Sequence, residues 1–196
     1  MKVVLDSDLL STFARIKRPD ILSNLFDRIL IPPAVVSELG RAQINTRDFK
    51  NSMVAKLSRE ELLALRKMDT RLGRGERECL TIAGHRNLPL ASNDKLVHIA
   101  CKEQKIDYLT MPRLLRFAIL RNIVNREEAR KLVVFIERER ENGNQGERRD
   151  IQVVRSRQCR GLASEDLPES YLLTEGTFPC RTCSYYAKKY FLTESA

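Results

Sequence analysis

The chain has 196 residues, of which 42% are hydrophobic, enough for one globular domain with a sizeable core. No apolar run approaches the roughly 18 residues of a transmembrane helix, and no signal-peptide pattern is present, so we expect a cytoplasmic protein with no membrane partner and with reduced cysteines. The formal net charge is +9, and residues 141–196 carry equal numbers of acidic and basic side chains, so the excess lies in residues 1–140. This basic body suggests a polyanionic partner, most simply nucleic acid; the alternative is a solvated arginine-rich surface.

Short apolar strands alternate with amphipathic helices along the first 141 residues. Apolar runs predict five strands, at residues 2–5, 28–31, 53–57, 88–92 and 107–110. Helical periodicity and capping residues predict the helices, at residues 9–16, 20–26, 34–39, 58–68, 76–84, 95–103, 112–123 and 126–141. We assign Asp8 and Asp20 as N-caps of the first two helices and Gly40 as the C-cap of the third. Strands that alternate with helices predict an α/β fold with a right-handed parallel sheet.

The end of the chain differs in composition from the rest. Residues 142–150, NGNQGERRD, predict a linker between a domain at 1–141 and an appendage at 151–196. The appendage contains Cys159 and the pair Cys180 and Cys183, which is half of a zinc site. No histidine follows residue 150 to complete that site, so we expect a small docked or disordered appendage, with structural zinc as the alternative.

The central stretch, residues 72–94, carries two acids in informative positions. Gly73 and Gly75 predict a tight turn with positive φ angles, and Glu76 follows in the first turn of a helix. The next strand ends just before Asp94. In an open parallel sheet both acids would lie near the carboxyl ends of the strands, where such folds bind ligands.

Four acids occupy comparable positions along the chain, namely Asp6, Glu38, Glu76 and Asp94. Each has a simple structural explanation on its own, as a strand-end cap, a surface charge or a helix-dipole partner. Four carboxylates at one edge, however, repel one another and raise one another's pKa unless a cation joins them. Hard carboxylate oxygens are the ligands that Mg²⁺ and Mn²⁺ prefer. The pattern therefore favours a divalent metal site that acts on a phosphodiester, because a bound ion polarises the ester and activates water.

These segments resemble the motifs of PIN domains, a family of metal-dependent ribonucleases that includes the VapC toxins of bacteria and archaea. VVLDSD resembles the first-strand motif and contributes Asp6, and IPPAVVSEL resembles the second motif and contributes Glu38. LGRGERECLTIA resembles the Gly-x-Gly-Glu form of the third motif, and LPLASND resembles the fourth, which gives Glu76 and Asp94. The interval between these last two acids also matches the family, whereas Glu78, the local competitor, gives the wrong interval. The resemblance covers about residues 1–140.

The resemblance implies a three-layer α/β/α domain and roles for named residues. The four acids would hold one or two Mg²⁺ or Mn²⁺ ions and catalyse RNA hydrolysis by metal-activated water. Ser7, Ser92 and Asn93 would orient these carboxylates, although the family often has a second aspartate where this chain has Asn93. Basic residues that flank the acids are our candidate phosphate contacts: Arg71, Arg74, Arg77 and Lys95. A homodimer, and a small antitoxin partner if the protein is a toxin, are also implied.

Three alternatives to a toxin stay open. A housekeeping RNA-processing nuclease would have the same site without an antitoxin. A catalytically inactive RNA-binding PIN domain would bind RNA without cleaving it. The segment Asp6-Ser7-Asp8 also resembles the opening motif of haloacid dehalogenase-type phosphatases, but Leu10 stands where that motif requires a threonine, and Glu38 and Glu76 would go unexplained.

Overall fold

The computed structural model of the chain describes residues 1–143. The predicted appendage and its cysteines, Cys159, Cys180 and Cys183, lie outside the described residues, as does nearly all of the predicted linker. One compact unit, Met1–Asn125, contains all the described strands, and the last helix, α8 (Arg126–Gly143), lies in a second unit. The predicted domain limits at residues 141 and 151 stay predictions.

The described residues form a five-stranded parallel sheet with the strand order β3-β2-β1-β4-β5. The strands are β1 (Lys2–Leu5), β2 (Arg28–Ile31), β3 (Ser52–Val54), β4 (Leu90–Ala91) and β5 (Tyr108–Leu109). The helices of the first unit are α1 (Ser7–Arg15), α2 (Pro19–Leu25), α3 (Pro33–Arg41), α4 (Arg59–Leu65), α5 (Arg74–Arg86), α6 (Lys95–Glu103) and α7 (Met111–Leu120). The predicted three-layer α/β/α fold with a central parallel sheet is confirmed.

The central strand, β1, sets the position of the whole sheet. Its residues Val3, Val4 and Leu5 are fully buried, as expected for a strand covered by helices on both faces. Leu5 pairs with Ala91 of β4, and the backbone N–H of Asp6 donates to the carbonyl oxygen of Ala91 at 3.1 Å. The residues that follow β1 and β4 therefore leave the sheet side by side at its carboxyl edge.

Four predicted helix signals were wrong. Asp20 does not cap α2; the N-cap is Arg18, because Pro19 already begins the helix, and Asp20 lies in its first turn. Asp8 does not cap α1; the helix begins at Ser7 and its N-cap is Asp6, because the chain turns into the helix directly after β1. Gly40 does not end α3, which continues to Arg41. Gly73 has a φ of −60° and is the N-cap of α5, so the predicted turn with positive φ does not form. The positive φ lies at the other end of α5, where Asn87 (φ 49°) ends the helix.

Other local predictions were confirmed. Ser58 and Glu61 form the predicted capping box at the start of α4, and α6 has the predicted bounds. Cys79 and Cys101 are buried free thiols in the described part of the chain. No helix within residues 1–143 combines the length and the apolar character that a bilayer span requires.

Candidate metal centre

Asp6 lies at the middle of the carboxyl edge of the sheet. Its side chain caps α1, with Oδ1 accepting a hydrogen bond of 2.7 Å from the Ser7 backbone N–H. The residue is 5% exposed. The pKa of the carboxyl group is raised from 3.8 to about 6, mainly by burial and to a smaller extent by the charges of Glu76 and Asp8, while hydrogen bonds from Ser92 and Ser7 oppose the shift. Asp6 is therefore a carboxylate held at an electrostatic cost, which a cation would relieve.

Ser92 connects Asp6 to Asp94. Its hydroxyl donates to Asp6 Oδ2 at 2.9 Å and accepts from the Asp94 backbone N–H at 3.1 Å. Asp94 is the N-cap of α6, with Oδ1 accepting hydrogen bonds from the backbone N–H groups of Leu96 and Val97 at 2.6 and 3.0 Å. The loop after β4 thus places a hydroxyl and a carboxylate beside the end of β1.

Glu76 and Glu38 approach the same edge from two other helices. Glu76 lies in the first turn of α5, and its Oε2 accepts from the Gly73 backbone N–H at 2.7 Å. Its pKa is raised, mainly by burial and then by the negative charges of Asp94 and Glu38. Glu38, on α3, lies against the first turn of α5, so closely that a Cβ atom on Gly75 would stand 2.7 Å from Glu38 Oε1.

The thiol of Cys79 lies beneath these acids, and the pKa of this thiol indicates that they are close together. Its pKa is raised well above the ordinary value, first by complete burial and then by the charges of nearby carboxylates, Asp6, Glu38, Glu78 and Glu76. Its sulfur lies 3.9 Å from the Leu5 carbonyl oxygen, under the end of β1. The structure therefore brings the predicted acids into one electrostatic environment.

The donor chemistry fits a hard divalent cation, because all four candidate ligands are carboxylates: the charge of Glu76 raises the pKa of Asp6, and the charges of Asp94 and Glu38 raise that of Glu76. Within residues 1–143, no group of three or more His, Cys, Asp or Glu side chains is close enough together to enclose an ion. Two of the acids are instead turned towards helix N-termini, Glu76 onto Gly73 and Asp94 onto α6. Helix N-termini stabilise negatively charged side chains.

Residues 2–139 match the model of a family described as a PIN domain. The chain belongs to the PIN-domain family. The fold is also similar to a solved structure, a PilT N-terminus domain protein from the hyperthermophilic archaeon Sulfolobus solfataricus, with 20% sequence identity, a TM-score of 0.45, and coverage of 58% of this chain and 90% of that one. No protein with a curated description matches the chain.

PIN domains are typically metal-dependent nucleases, so the chain belongs to a family of hydrolases. Because the chain belongs to the PIN-domain family, the hypothesis of a haloacid dehalogenase-type phosphatase has no support. Leu10, which stands where the phosphatase motif needs a hydroxyl group, is fully buried in the core of the PIN domain. The VapC-like branch is not distinguished by the family match and stays a prediction.

Glu78 has a position in this PIN domain that sequence reasoning missed. Its side chain is 2% exposed. Oε2 accepts a hydrogen bond of 2.8 Å from the backbone N–H of Ala34 in α3, and Oε1 accepts one of 3.1 Å from Arg74 Nε. No local pattern predicts the first contact, because it joins residues 44 positions apart.

Asn93 forms hydrogen bonds to two helices. Its Nδ2 donates to Asp8 Oδ2 at 3.1 Å, and its Oδ1 accepts from the Met111 backbone N–H at 2.9 Å. The amide suits this position, because an aspartate there would place a second negative charge against Asp8. Asn93 therefore ties the first turn of α1 to the start of α7.

The four candidate phosphate contacts differ in position. Arg74 and Lys95 are exposed on the first residues of α5 and α6, next to the turns that carry Glu76 and Asp94. Arg71 is paired with Asp69 and feels the charge of Glu103 at the opposite end of α6 from Asp94. Arg77 is partly buried, and its Nε has no hydrogen-bond partner within residues 1–143. The geometry favours Arg74 and Lys95.

Proposed function

We propose that this PIN domain is an Mg²⁺- or Mn²⁺-dependent endoribonuclease that hydrolyses RNA phosphodiesters, and that it is the toxin of a type II toxin–antitoxin pair. The supporting observation is the Asp6 carboxyl group, 5% exposed and with its pKa raised to about 6, at a sheet edge shared with three other acids. A buried carboxylate is costly, and a divalent cation is the simplest group that relieves the cost. Enzyme sites are where such perturbed groups collect.

The four acids Asp6, Glu38, Glu76 and Asp94 would hold the ion. When bound, it supplies Lewis acidity to the phosphodiester and lowers the pKa of an attacking water. The chain's own contribution is orientation: the Ser92 hydroxyl and the Ser7 N–H each hold one oxygen of Asp6, so that the carboxylate cannot rotate freely. We assign no covalent enzyme intermediate, since hydrolysis by water needs none.

RNA as the substrate is supported by charge and by family resemblance. The excess of positive charge lies in residues 1–140 and includes Arg74 and Lys95 beside the acids. Such a basic rim around an acidic centre attracts a phosphate backbone and makes binding depend on salt concentration. A nuclease that processes RNA without an antitoxin would share all of these features.

The catalytic proposal is tested by incubating a labelled pool of single-stranded RNA with the full chain and Mg²⁺ or Mn²⁺. We expect cleavage that EDTA abolishes and that Asp6→Asn and Asp94→Asn each abolish. Asp20→Asn is the matched control, because Asp20 lies in the first turn of α2 and pairs with Arg18. Salt-dependent binding without cleavage, unchanged in the variants, would show an inactive RNA-binding domain instead.

The toxin proposal needs a separate experiment in cells. Expression of the wild-type chain should arrest growth, and Asp6→Asn should not. Co-expression of a small protein encoded next to this gene should restore growth and co-purify with the chain. Active cleavage in vitro without growth arrest would favour a processing nuclease, and light scattering of the purified chain would test the implied homodimer.

A further inference from the structure

Glu78 joins the two helices that carry Glu38 and Glu76. The residue lies on α5, two positions after Glu76, and reaches the start of α3, four positions before Glu38. A glutamate that is 2% exposed is unusual unless it is fully engaged. Here both oxygens are engaged, one by the Ala34 N–H and the other by Arg74.

The first turn of α3 needs a hydrogen-bond acceptor from another part of the chain. Two prolines begin the helix, and in the described structure its N-cap, Pro32, supplies no side-chain hydrogen bond. The free backbone N–H groups of a first turn require an acceptor, and a negative charge is favoured there by the helix dipole. The Glu78 carboxylate therefore acts as the cap of α3, supplied by another helix.

A second contact, one helical turn away, makes the pairing of the two helices reciprocal. Glu78 of α5 lies at the start of α3, while Glu38 of α3 lies over Gly75 at the start of α5. Both helices thus begin at the carboxyl edge of the sheet, and each presents a carboxylate to the first turn of the other. A displacement of α3 along α5 would move Glu38 relative to Glu76.

We propose that Glu78 is a positioning residue for the metal site, an inference that rests on the proposed function. By capping α3 it sets the Glu38 carboxylate against Glu76. By accepting from Nε of Arg74 it also holds that guanidinium group, whose side chain is 77% exposed, in position to bind a phosphate of the RNA. One buried carboxylate thereby orients both a metal ligand and a substrate contact.

The two roles can be separated with two substitutions. Glu78→Ala removes both hydrogen bonds. Glu78→Gln keeps one oxygen for the fixed Ala34 N–H, but its amide N–H₂ then faces Arg74, which is exposed and free to turn away into solvent. Arg74→Ala is the reference for loss of the substrate contact alone.

The experiment measures Mn²⁺ affinity from the electron paramagnetic resonance signal of free Mn²⁺, kcat and KM for RNA cleavage, and thermal unfolding, at a temperature where every variant is folded. We expect Glu78→Ala to lower both Mn²⁺ affinity and kcat about tenfold, which is the usual effect of removing a residue that orients a metal ligand. We expect Glu78→Gln to keep both and to raise KM by about twofold to fivefold, as for an exposed ion pair. Arg74→Ala should raise KM by the same factor. Combining Glu78→Gln with Arg74→Ala should raise KM no further.

Unchanged Mn²⁺ affinity, kcat and KM in Glu78→Ala, beside an active wild-type protein, would overturn the positioning role and leave Glu78 a purely structural cap. So would equal losses in kcat for Glu78→Ala and Glu78→Gln, because the glutamine retains the cap. A wild-type protein that neither binds Mn²⁺ nor cleaves RNA would overturn the proposed function itself, and the positioning role with it.

Discussion

The Ser92 hydroxyl donates a hydrogen bond of 2.9 Å to Asp6 Oδ2, across 86 residues of chain. It joins the loops that follow two neighbouring strands, β1 and β4, at the point where both leave the sheet. The contact lowers the pKa of the Asp6 carboxyl group against the opposing effect of burial. Ser92 therefore helps to keep Asp6 ionised in a buried position.

Replacement of Ser92 by alanine should impair catalysis more than folding. Loss of the hydroxyl removes a donor to Asp6 and an acceptor for the Asp94 N–H, so the pKa of Asp6 should rise further above 6. We expect activity to fall by about tenfold or more and its acidic limb to move to higher pH. The control is Ser23→Ala, which also removes a buried hydroxyl but lies on α2 and donates to Pro19. Equal pH profiles for the two variants would contradict the assigned role.

The stability of the metal-free protein should depend on the ionisation of Asp6. Because its pKa is raised from 3.8 to about 6 on folding, the folded state binds a proton more tightly, and the free energy of unfolding should decrease as pH rises between these values. Asp6→Asn should therefore be more stable than the wild type at pH 7 in EDTA, by up to about 3 kcal/mol, and the difference should vanish near pH 4. Urea denaturation at several pH values measures this.

Asp20 provides a control of opposite sign for that titration. Its pKa is lowered, mainly by the hydrogen bond from Arg18, so its contribution to stability is present at neutral pH and is lost as pH falls through the lowered pKa. Asp20→Asn should thus be slightly less stable than the wild type at pH 7. If Asp6→Asn behaves in the same way as Asp20→Asn, the burial of Asp6 is not costly and the metal proposal loses its main support.

Two helical glycines separate a local effect on the site from a general effect on helices. Alanine at Gly75 would bring a Cβ within 2.7 Å of Glu38 Oε1, and the flexible carboxylate would have to move. At Gly40 no atom lies within 4 Å of the added Cβ. We expect Gly40→Ala to stabilise the protein by about 0.5–1 kcal/mol with unchanged activity. Gly75→Ala should fold normally but lose Mn²⁺ affinity and activity, and full activity would show that the position of Glu38 is unimportant.

The ion pair between Glu61 and Arg86 should matter for stability alone. Arg86 donates from Nε and Nη2 to both oxygens of Glu61 at 2.7 and 2.8 Å, and Nη2 also donates to the Lys56 carbonyl oxygen at 2.7 Å. Arg86→Ala leaves a buried carboxylate without its main partner, so we expect a loss of about 2–3 kcal/mol, less than for a fully buried pair because the arginine is partly exposed. Denaturation measures the loss, and Mn²⁺ affinity per folded molecule should not change.

Features that depend on neighbouring residues could be predicted from the sequence. The apolar run before Asp6, the capping box of Ser58 and Glu61, and the first turn of α5 with Glu76 are local patterns, and each forms as expected. The N-cap of α1 was assigned to Asp8 instead of Asp6. The sequence is compatible with either aspartate, because the choice depends on the residue at which β1 ends.

Contacts between distant segments could not be predicted. The sequence places Glu78 two residues from Glu76 and favours it only as a competitor for the same role, whereas the fold uses it to cap α3. The partners of Asn93 are also on other elements, α1 and α7. Family motifs predict which acids share an edge, but the direction in which each carboxylate points depends on the nearest free backbone N–H groups.

The central claim is that the four acids together form one metal-binding site, and Mn²⁺ binding tests it most directly. Free Mn²⁺ is measured by electron paramagnetic resonance during titration of the wild type, of Asp6→Asn, Glu38→Gln, Glu76→Gln and Asp94→Asn, and of the control Asp20→Asn. We predict saturable binding by the wild type and the control, and at least a tenfold loss of affinity in each of the four variants. Absence of Mn²⁺ binding by the wild type, or an Mn²⁺ affinity in all four variants equal to that of the wild type, would contradict the assignment.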